Sequence, residues 1–106
     1  MKLLIDENFP QKVSLHYPEH TIVTIESAGW KGKENSELLR LMVKMGFDGL
    51  ITLDQNLAKQ QNISKFKLKI FVLKPMDSRP SSVQPLVGKF ESVLKNASSK
   101  QIFEIE

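Results

Sequence analysis

Four short apolar runs constrain the fold of this chain most strongly. They cover residues 3 to 5, 21 to 25, 49 to 53 and 70 to 73, and β-branched residues and leucine dominate them. Most of their apolar residues are consecutive rather than alternating, which is typical of strands buried on both faces, as in parallel sheets. Residues 102 to 105 form a fifth such run and predict a last strand.

Two segments between these runs have helical character. Residues 36 to 45 predict a helix because leucines and methionines recur on one face; we expect Asn35 to cap it and Gly46 to end it. Ser82 is expected to cap a second helix, since apolar residues then repeat at intervals of three and four. Pro85 is tolerated there if it falls in the first turn.

Strands that alternate with helices imply βαβ units joined by right-handed crossovers. The predicted fold class is therefore α/β, a three-layer sandwich around a small, mostly parallel sheet. The length of 106 residues predicts a single domain over residues 1–106. The chain has no cysteine and no long apolar stretch, so thiol chemistry and a membrane span are not expected, and we expect a soluble, cytoplasmic protein.

Charge is unevenly distributed along the chain. Residues 1 to 54 carry six Lys or Arg and eight Asp or Glu, whereas residues 55 to 106 carry nine and four. This split suits an acidic pocket beside a basic surface for a polyanion such as nucleic acid. The simpler interpretation, that the lysines solvate helix faces and sheet edges, stays open. Lys65, Lys67 and Lys69 in particular favour a charged edge strand that resists aggregation.

Acidic side chains follow two of the predicted strands. Asp6 comes directly after the first strand, with Glu7 and Asn8 next to it as secondary site positions, and Asp54 follows the third strand. Glu37 begins the helix that leads to that third strand. Ligands of parallel α/β sheets gather beyond the carboxyl ends of the strands, and Mg²⁺ or Mn²⁺ prefers oxygen ligands. The pattern predicts a metal site, although each acid alone is also explained by helix capping.

Three sequence motifs resemble the short PIN-like family of prokaryotic proteins, which are similar to the PIN-domain nucleases of toxin-antitoxin systems. Residues 1 to 10 read MKLLIDENFP, residues 29 to 39 contain GWKG and then NSELL, and residues 50 to 57 read LITLDQNL. The resemblance covers about residues 1 to 60 and is only topological beyond them. It implies a PIN-like fold, an acidic Mg²⁺ or Mn²⁺ site, hydrolysis of RNA phosphodiesters and a small antitoxin protein as partner.

Carried over to this sequence, the resemblance makes Asp6, Glu37 and Asp54 the catalytic residues and metal ligands. Two secondary positions depart from the family, because Asn35 and Asn56 stand where it usually has aspartate. An amide offers a carbonyl oxygen but no negative charge, so these changes weaken the expected metal affinity.

Two functions therefore follow as hypotheses. The first is a metal-dependent endoribonuclease of PIN-like toxin type, with RNA as substrate. The alternative is a catalytically degenerate PIN-like module that binds protein or RNA. A homodimer is compatible with both. A phosphoacceptor receiver domain is disfavoured, because only 20 residues separate Asp54 from Lys74, too few for the strand and helix that such a domain adds there.

Overall fold

The computed structural model describes residues 1–6, 9, 20–57, 65–77, 79–95 and 101–106; Glu7 and Asn8 lie outside this set. The elements in chain order are β1 (Lys2–Ile5), β2 (Thr21–Thr24), α1 (Ile25–Ala28), α2 (Asn35–Lys44), β3 (Gly49–Thr52), β4 (Lys69–Leu73), α3 (Pro80–Lys95) and β5 (Ile102–Ile105). None of the helices in the described part of the chain is long and apolar enough to cross a membrane.

The five strands form one sheet in the order β2-β1-β3-β4-β5, and every pairing is parallel. This confirms the prediction of a small parallel sheet in an α/β fold. The chain runs from β1 outward to β2 and then returns to the other side of β1 as β3. The order therefore reverses between β1 and β3, and this reversal is the switch point of a doubly wound sheet.

The sheet is covered by helices on both faces. All four residues of β3 are buried, and neighbours along a strand point to opposite faces. Leu50 belongs to the apolar cluster that includes the buried face of α2, whereas Ile51 belongs to the cluster beneath α3. Phe71 and Phe90 join β4 to α3 with ring centroids 5.2 Å apart, edge to face. The consecutive apolar runs are thus explained by two cores on one sheet.

The predicted α2 is confirmed, but its cap differs. The helix begins at Asn35 itself, and Glu34 is the capping residue, without a side-chain cap hydrogen bond. Asn35 is therefore not the N-cap, because the helix begins one residue earlier than the sequence predicts. The end agrees with the prediction, since Gly46 follows the helix with a positive φ of 80° and its N–H donates to the carbonyl of Val43.

The last helix begins earlier than the sequence pattern predicts. It starts at Pro80, so Ser82 lies inside the helix and is not its cap. A proline is well suited to the first helical position because the N–H that it lacks would have no partner there. Pro85 consequently lies beyond the first turn, contrary to the prediction. The carbonyl that lacks its helical donor is that of Ser81, and Ser81 is exposed, so water can satisfy it.

The second strand ends one residue earlier than predicted. The hydroxyl of Thr24 accepts a hydrogen bond from the backbone N–H of Ser27 at 3.0 Å, which caps α1. Ile25 is therefore the first residue of a helix and is buried as part of the core on the α2 side of the sheet.

Candidate functional site

The ends of β1 and β3 lie side by side, as the sequence predicts. Ile5 is paired with Ile51, and the backbone N–H of Asp6 extends the ladder by donating to the carbonyl of Ile51 at 2.9 Å. Asp6 is thereby placed beside Thr52 at the switch point of the sheet. Open α/β sheets bind ligands outside the carboxyl ends of their strands at such points.

A single buried hydroxyl connects the two acidic positions. Thr52 is 0% exposed, and its Oγ1 donates to Oδ2 of Asp6 at 2.7 Å while accepting from the backbone N–H of Asp54 at 3.0 Å. The distance to Asp6 is typical of a well-formed O–H···O hydrogen bond. Thr52 therefore sets both the orientation of the Asp6 carboxylate and the path of the chain at Asp54.

The Asp54 carboxylate is oriented by the turn that follows β3. Its Oδ1 accepts from the backbone N–H of Asn56 at 2.9 Å, which is the geometry of an Asx turn. Its Oδ2 makes no hydrogen bond with a residue in the described part of the chain, so this oxygen can face a cation. Asn56 contributes its main chain to the turn, and its side chain is exposed.

Glu37 stands apart from this pair. It occupies the first turn of α2, its side chain is 58% exposed, and its Oε1 lies 3.3 Å from Nζ of Lys33. Among the described residues no three carboxylates, histidines or cysteines form a group that could hold a metal ion. The structure thus links the Asp6 carboxylate to the backbone of Asp54 through Thr52, and among the described residues Glu37 forms no three-acid group with them.

Lys74 follows β4 and is directed toward β5. Its Nζ lies 3.2 Å from Oε1 of Glu104 and 3.5 Å from Oε1 of Glu106. The hydrogen bond to Glu104, with the charge of both glutamates, raises the pKa of Lys74 above its ordinary value. In a receiver domain the lysine lies beside the phosphoacceptor aspartate. Lys74 is instead paired with two glutamates, which disfavours a receiver domain, as does the sequence spacing between Asp54 and Lys74.

An aspartate and an arginine organise the segment between β4 and α3. Asp77 accepts from the backbone N–H of Arg79 at 3.0 Å and from its Nε and Nη2 at 3.1 and 2.9 Å. These bonds, with one from the Ser82 side chain, hold the pKa of Asp77 well below its usual range. The arginine on this edge of the sheet is therefore already neutralised by a neighbour.

Among the basic residues of the second half of the chain, Lys69 lies where the strands begin, whereas Lys74 and Arg79 follow β4 and lie where the strands end. Lys69 is the first residue of β4, and β4 is an inner strand between β3 and β5. The prediction of a charged edge strand at Lys65, Lys67 and Lys69 is therefore wrong. Lys69 does not lie beside Asp6 and Asp54, since parallel strands begin at one end of the sheet and end at the opposite one.

Thr52 is the site residue that sequence reasoning missed. The one available signal is a hydroxyl within an otherwise apolar strand, two residues before Asp54. No family model, curated protein or solved structure matches this chain. Function is therefore inferred from the geometry around Thr52 and from the motifs in residues 1 to 60.

Proposed function

We propose that this protein is a metal-dependent endoribonuclease of PIN-like toxin type, which hydrolyses RNA phosphodiesters at the edge where β1 and β3 end. The observation that carries the proposal is the Thr52 hydroxyl, which joins the Asp6 carboxylate to the backbone of Asp54. A small antitoxin protein is the proposed partner, and the cytoplasm is the proposed location.

The donor set at this edge fits Mg²⁺ or Mn²⁺ in type and number. Mg²⁺ is usually held by one or two carboxylates, with water and substrate phosphate completing the coordination, and Asp6 and Asp54 supply two. An ion held there would polarise water and offset the charge that develops on the phosphodiester. Thr52 and the turn at Asn56 restrict both carboxylates before any ligand arrives, which lowers the cost of ordering them on binding.

The experiment uses purified protein, Mn²⁺ and an end-labelled single-stranded RNA. We expect cleavage by the natural sequence and none by Asp6→Asn, because the amide keeps the shape but loses the charge that attracts a cation. Asp48→Asn is the matched control. Asp48 is exposed at the opposite edge, and its carboxylate accepts from the backbone N–H of Lys2 at 2.7 Å, which an amide oxygen can also do.

Binding of Mn²⁺ is measured separately by isothermal titration calorimetry. Loss of cleavage together with loss of Mn²⁺ binding in Asp6→Asn supports the proposal. Equal cleavage by Asp6→Asn and Asp48→Asn would contradict it, since the activity would then come from another site or from a contaminant.

A second candidate is a degenerate PIN-like module that binds protein or RNA without cleaving it. Two observations favour it: Glu37 is paired with Lys33, and Asn35 and Asn56 bring no charge. The double variant Asn35→Asp/Asn56→Asp separates the candidates. Position 35 begins a helix, where an acid is favourable, and the side chain at position 56 is exposed, so both changes should be tolerated. Absence of cleavage by the natural chain and by this variant favours the binding module.

A further inference from the structure

We propose that the edge of the sheet where the strands begin is a binding surface for the phosphate backbone of single-stranded RNA. We call this surface the basic edge and define it by Lys2, Lys44, Lys65, Lys67 and Lys69. The inference takes RNA as the ligand from the proposed function, but it requires no cleavage. It places the surface opposite Asp6 and Asp54.

Hydrogen bonds show that the start of β1, the end of α2 and the start of β4 are neighbours at the basic edge. Nζ of Lys2 donates to the carbonyl of Met45 at 2.9 Å, which brings the start of β1 to the end of α2 beside Lys44. Asp48 then connects β1 to β4, because its N–H donates to the carbonyl of Lys2 at 2.7 Å and its carbonyl accepts from the N–H of Lys69 at 2.9 Å. Lys67 precedes Lys69 by two residues.

The ammonium groups of two lysines at the basic edge lie over aromatic rings. Nζ of Lys2 lies 4.5 Å from the ring centroid of Phe47, and Nζ of Lys69 lies 5.4 Å from that of Phe103. Such contacts favour a cation and restrict a long side chain that would otherwise sample many rotamers. The two charges are therefore partly positioned before a ligand binds.

Three lysines of the basic edge differ in pairing from several cations at the edge where the strands end. At the edge where the strands end, Lys33, Lys74 and Arg79 each form an ion pair with a carboxylate. Lys65 and Lys67, in contrast, are exposed and form no ion pair with any residue that the structure describes. The same holds for exposed Lys44, which is in the last turn of α2. Lys44, Lys65 and Lys67 are therefore accessible to a ligand at the basic edge, where Asp48 is an exposed carboxylate between Lys2 and Lys69.

The phosphate backbone of RNA fits this surface better than an acidic protein does. Lysine is depleted in protein–protein interfaces, which rely on buried aromatic and apolar anchors. Near the end of α2, Val43 and Met45 are the large apolar side chains that are exposed, 47% and 54%, and neither is aromatic. Exposed lysines such as Lys44, Lys65 and Lys67 instead release counterions from a phosphate backbone, which gives affinity without sequence preference.

The test measures binding of a fluorescein-labelled oligouridine by anisotropy, in EDTA so that no cleavage occurs, at several salt concentrations. The test variant is Lys65→Gln/Lys67→Gln. The control is Lys31→Gln/Lys89→Gln, which removes the same charge from exposed positions outside the basic edge. Each lost phosphate contact should reduce the slope of log affinity against log salt by about 0.7. The test variant should therefore bind about 25-fold more weakly at 0.1 M salt, with a slope smaller by about 1.4.

The inference is overturned if both double variants lose the same affinity, or if the natural chain does not bind the oligouridine at low salt. Binding of polyglutamate in place of RNA would also overturn it and identify an acidic protein as the partner. Failure of the proposed function looks different. If the chain binds RNA through Lys65 and Lys67 but does not cleave it with Mn²⁺, the nuclease proposal fails and the basic edge stands.

Discussion

Replacement of Thr52 by valine tests the geometry of the site most directly. Valine keeps the shape of the side chain but removes the hydroxyl, so both the bond to Asp6 at 2.7 Å and the bond from the N–H of Asp54 at 3.0 Å are lost. A hydrogen bond to a charged group contributes about 1.5–3 kcal/mol and a neutral one about 0.5–1.5 kcal/mol. Valine recovers part of this through its added apolar methyl in a fully buried strand position.

The expected net loss for Thr52→Val is about 2–3 kcal/mol in the free energy of unfolding. Domains of this size are stable by about 5–15 kcal/mol, so the variant should still fold. A change of 1 kcal/mol moves the melting temperature of a small domain by about 4–8 °C, and the melting temperature should therefore fall by roughly 10 °C or more.

Urea denaturation followed by circular dichroism measures this loss as a lower midpoint at an unchanged slope. Thr21→Val is the matched control, because Thr21 is exposed on β2 and the same chemical change there should stay within about 0.5 kcal/mol. Thr52→Ser retains the hydroxyl and loses one buried methyl, at a cost of about 1 kcal/mol. The reasoning is refuted if Thr52→Val costs no more than Thr21→Val, or if the serine variant loses as much as the valine variant.

Three further predictions concern other parts of the molecule. Mn²⁺ at about 100 times its dissociation constant should stabilise the protein by about 2.7 kcal/mol, seen as a higher melting temperature, and Asp54→Asn should remove this gain; an equal shift in that variant would place the ion elsewhere. Because Arg79 lowers the pKa of Asp77 in the folded state, the stability that Asp77 contributes is present above its unfolded-state pKa and is lost as the pH falls below about 4. Asp77→Asn should therefore make acid unfolding less steep in that range, and an unchanged acid limb would contradict the pairing. A Cβ at Gly49 would lie 2.9 Å from the carbonyl oxygen of Lys69 on β4, so Gly49→Ala should lower the free energy of unfolding by about 1–3 kcal/mol. Gly88 on α3 faces open space, so Gly88→Ala should raise that free energy by about 0.5–1 kcal/mol. If urea denaturation gives both changes the same sign, this packing is refuted.

The strands and the neighbouring positions of Asp6 and Asp54 were predictable because they depend on local patterns. Consecutive apolar residues require burial on both faces, and parallel pairing then brings the strand ends to one edge. The contact between Asp6 and Thr52 was not predictable, because it joins residues 46 apart in sequence and depends on the register of β1 against β3. A shift by one residue would direct the Thr52 side chain to the other face of the sheet.

The error at the start of α2 has a different physical cause. Glu34, Asn35 and Ser36 are consecutive polar residues, and Asn35 and Ser36 are both good capping residues, so local sequence does not distinguish between starts one residue apart. The position of Glu37 likewise depends on a contact that periodicity does not show. Its ion pair with Lys33 lies at the helix start, where exposed pairs of this kind contribute little energy. The orientation of Glu37 is therefore the part of the site that a bound ligand can change most easily.

The separation of charge between the two edges follows from the parallel topology. In such a fold the helices run antiparallel to the strands, so helices begin where strands end. Acids are favourable at helix starts and lysines at helix ends because of the helix dipole, as with Glu37 and Lys44 in α2. The dipole explains Lys44 but not Lys65 or Lys67, which precede a strand. A ligand at the basic edge would explain these two exposed lysines, which the helix dipole does not.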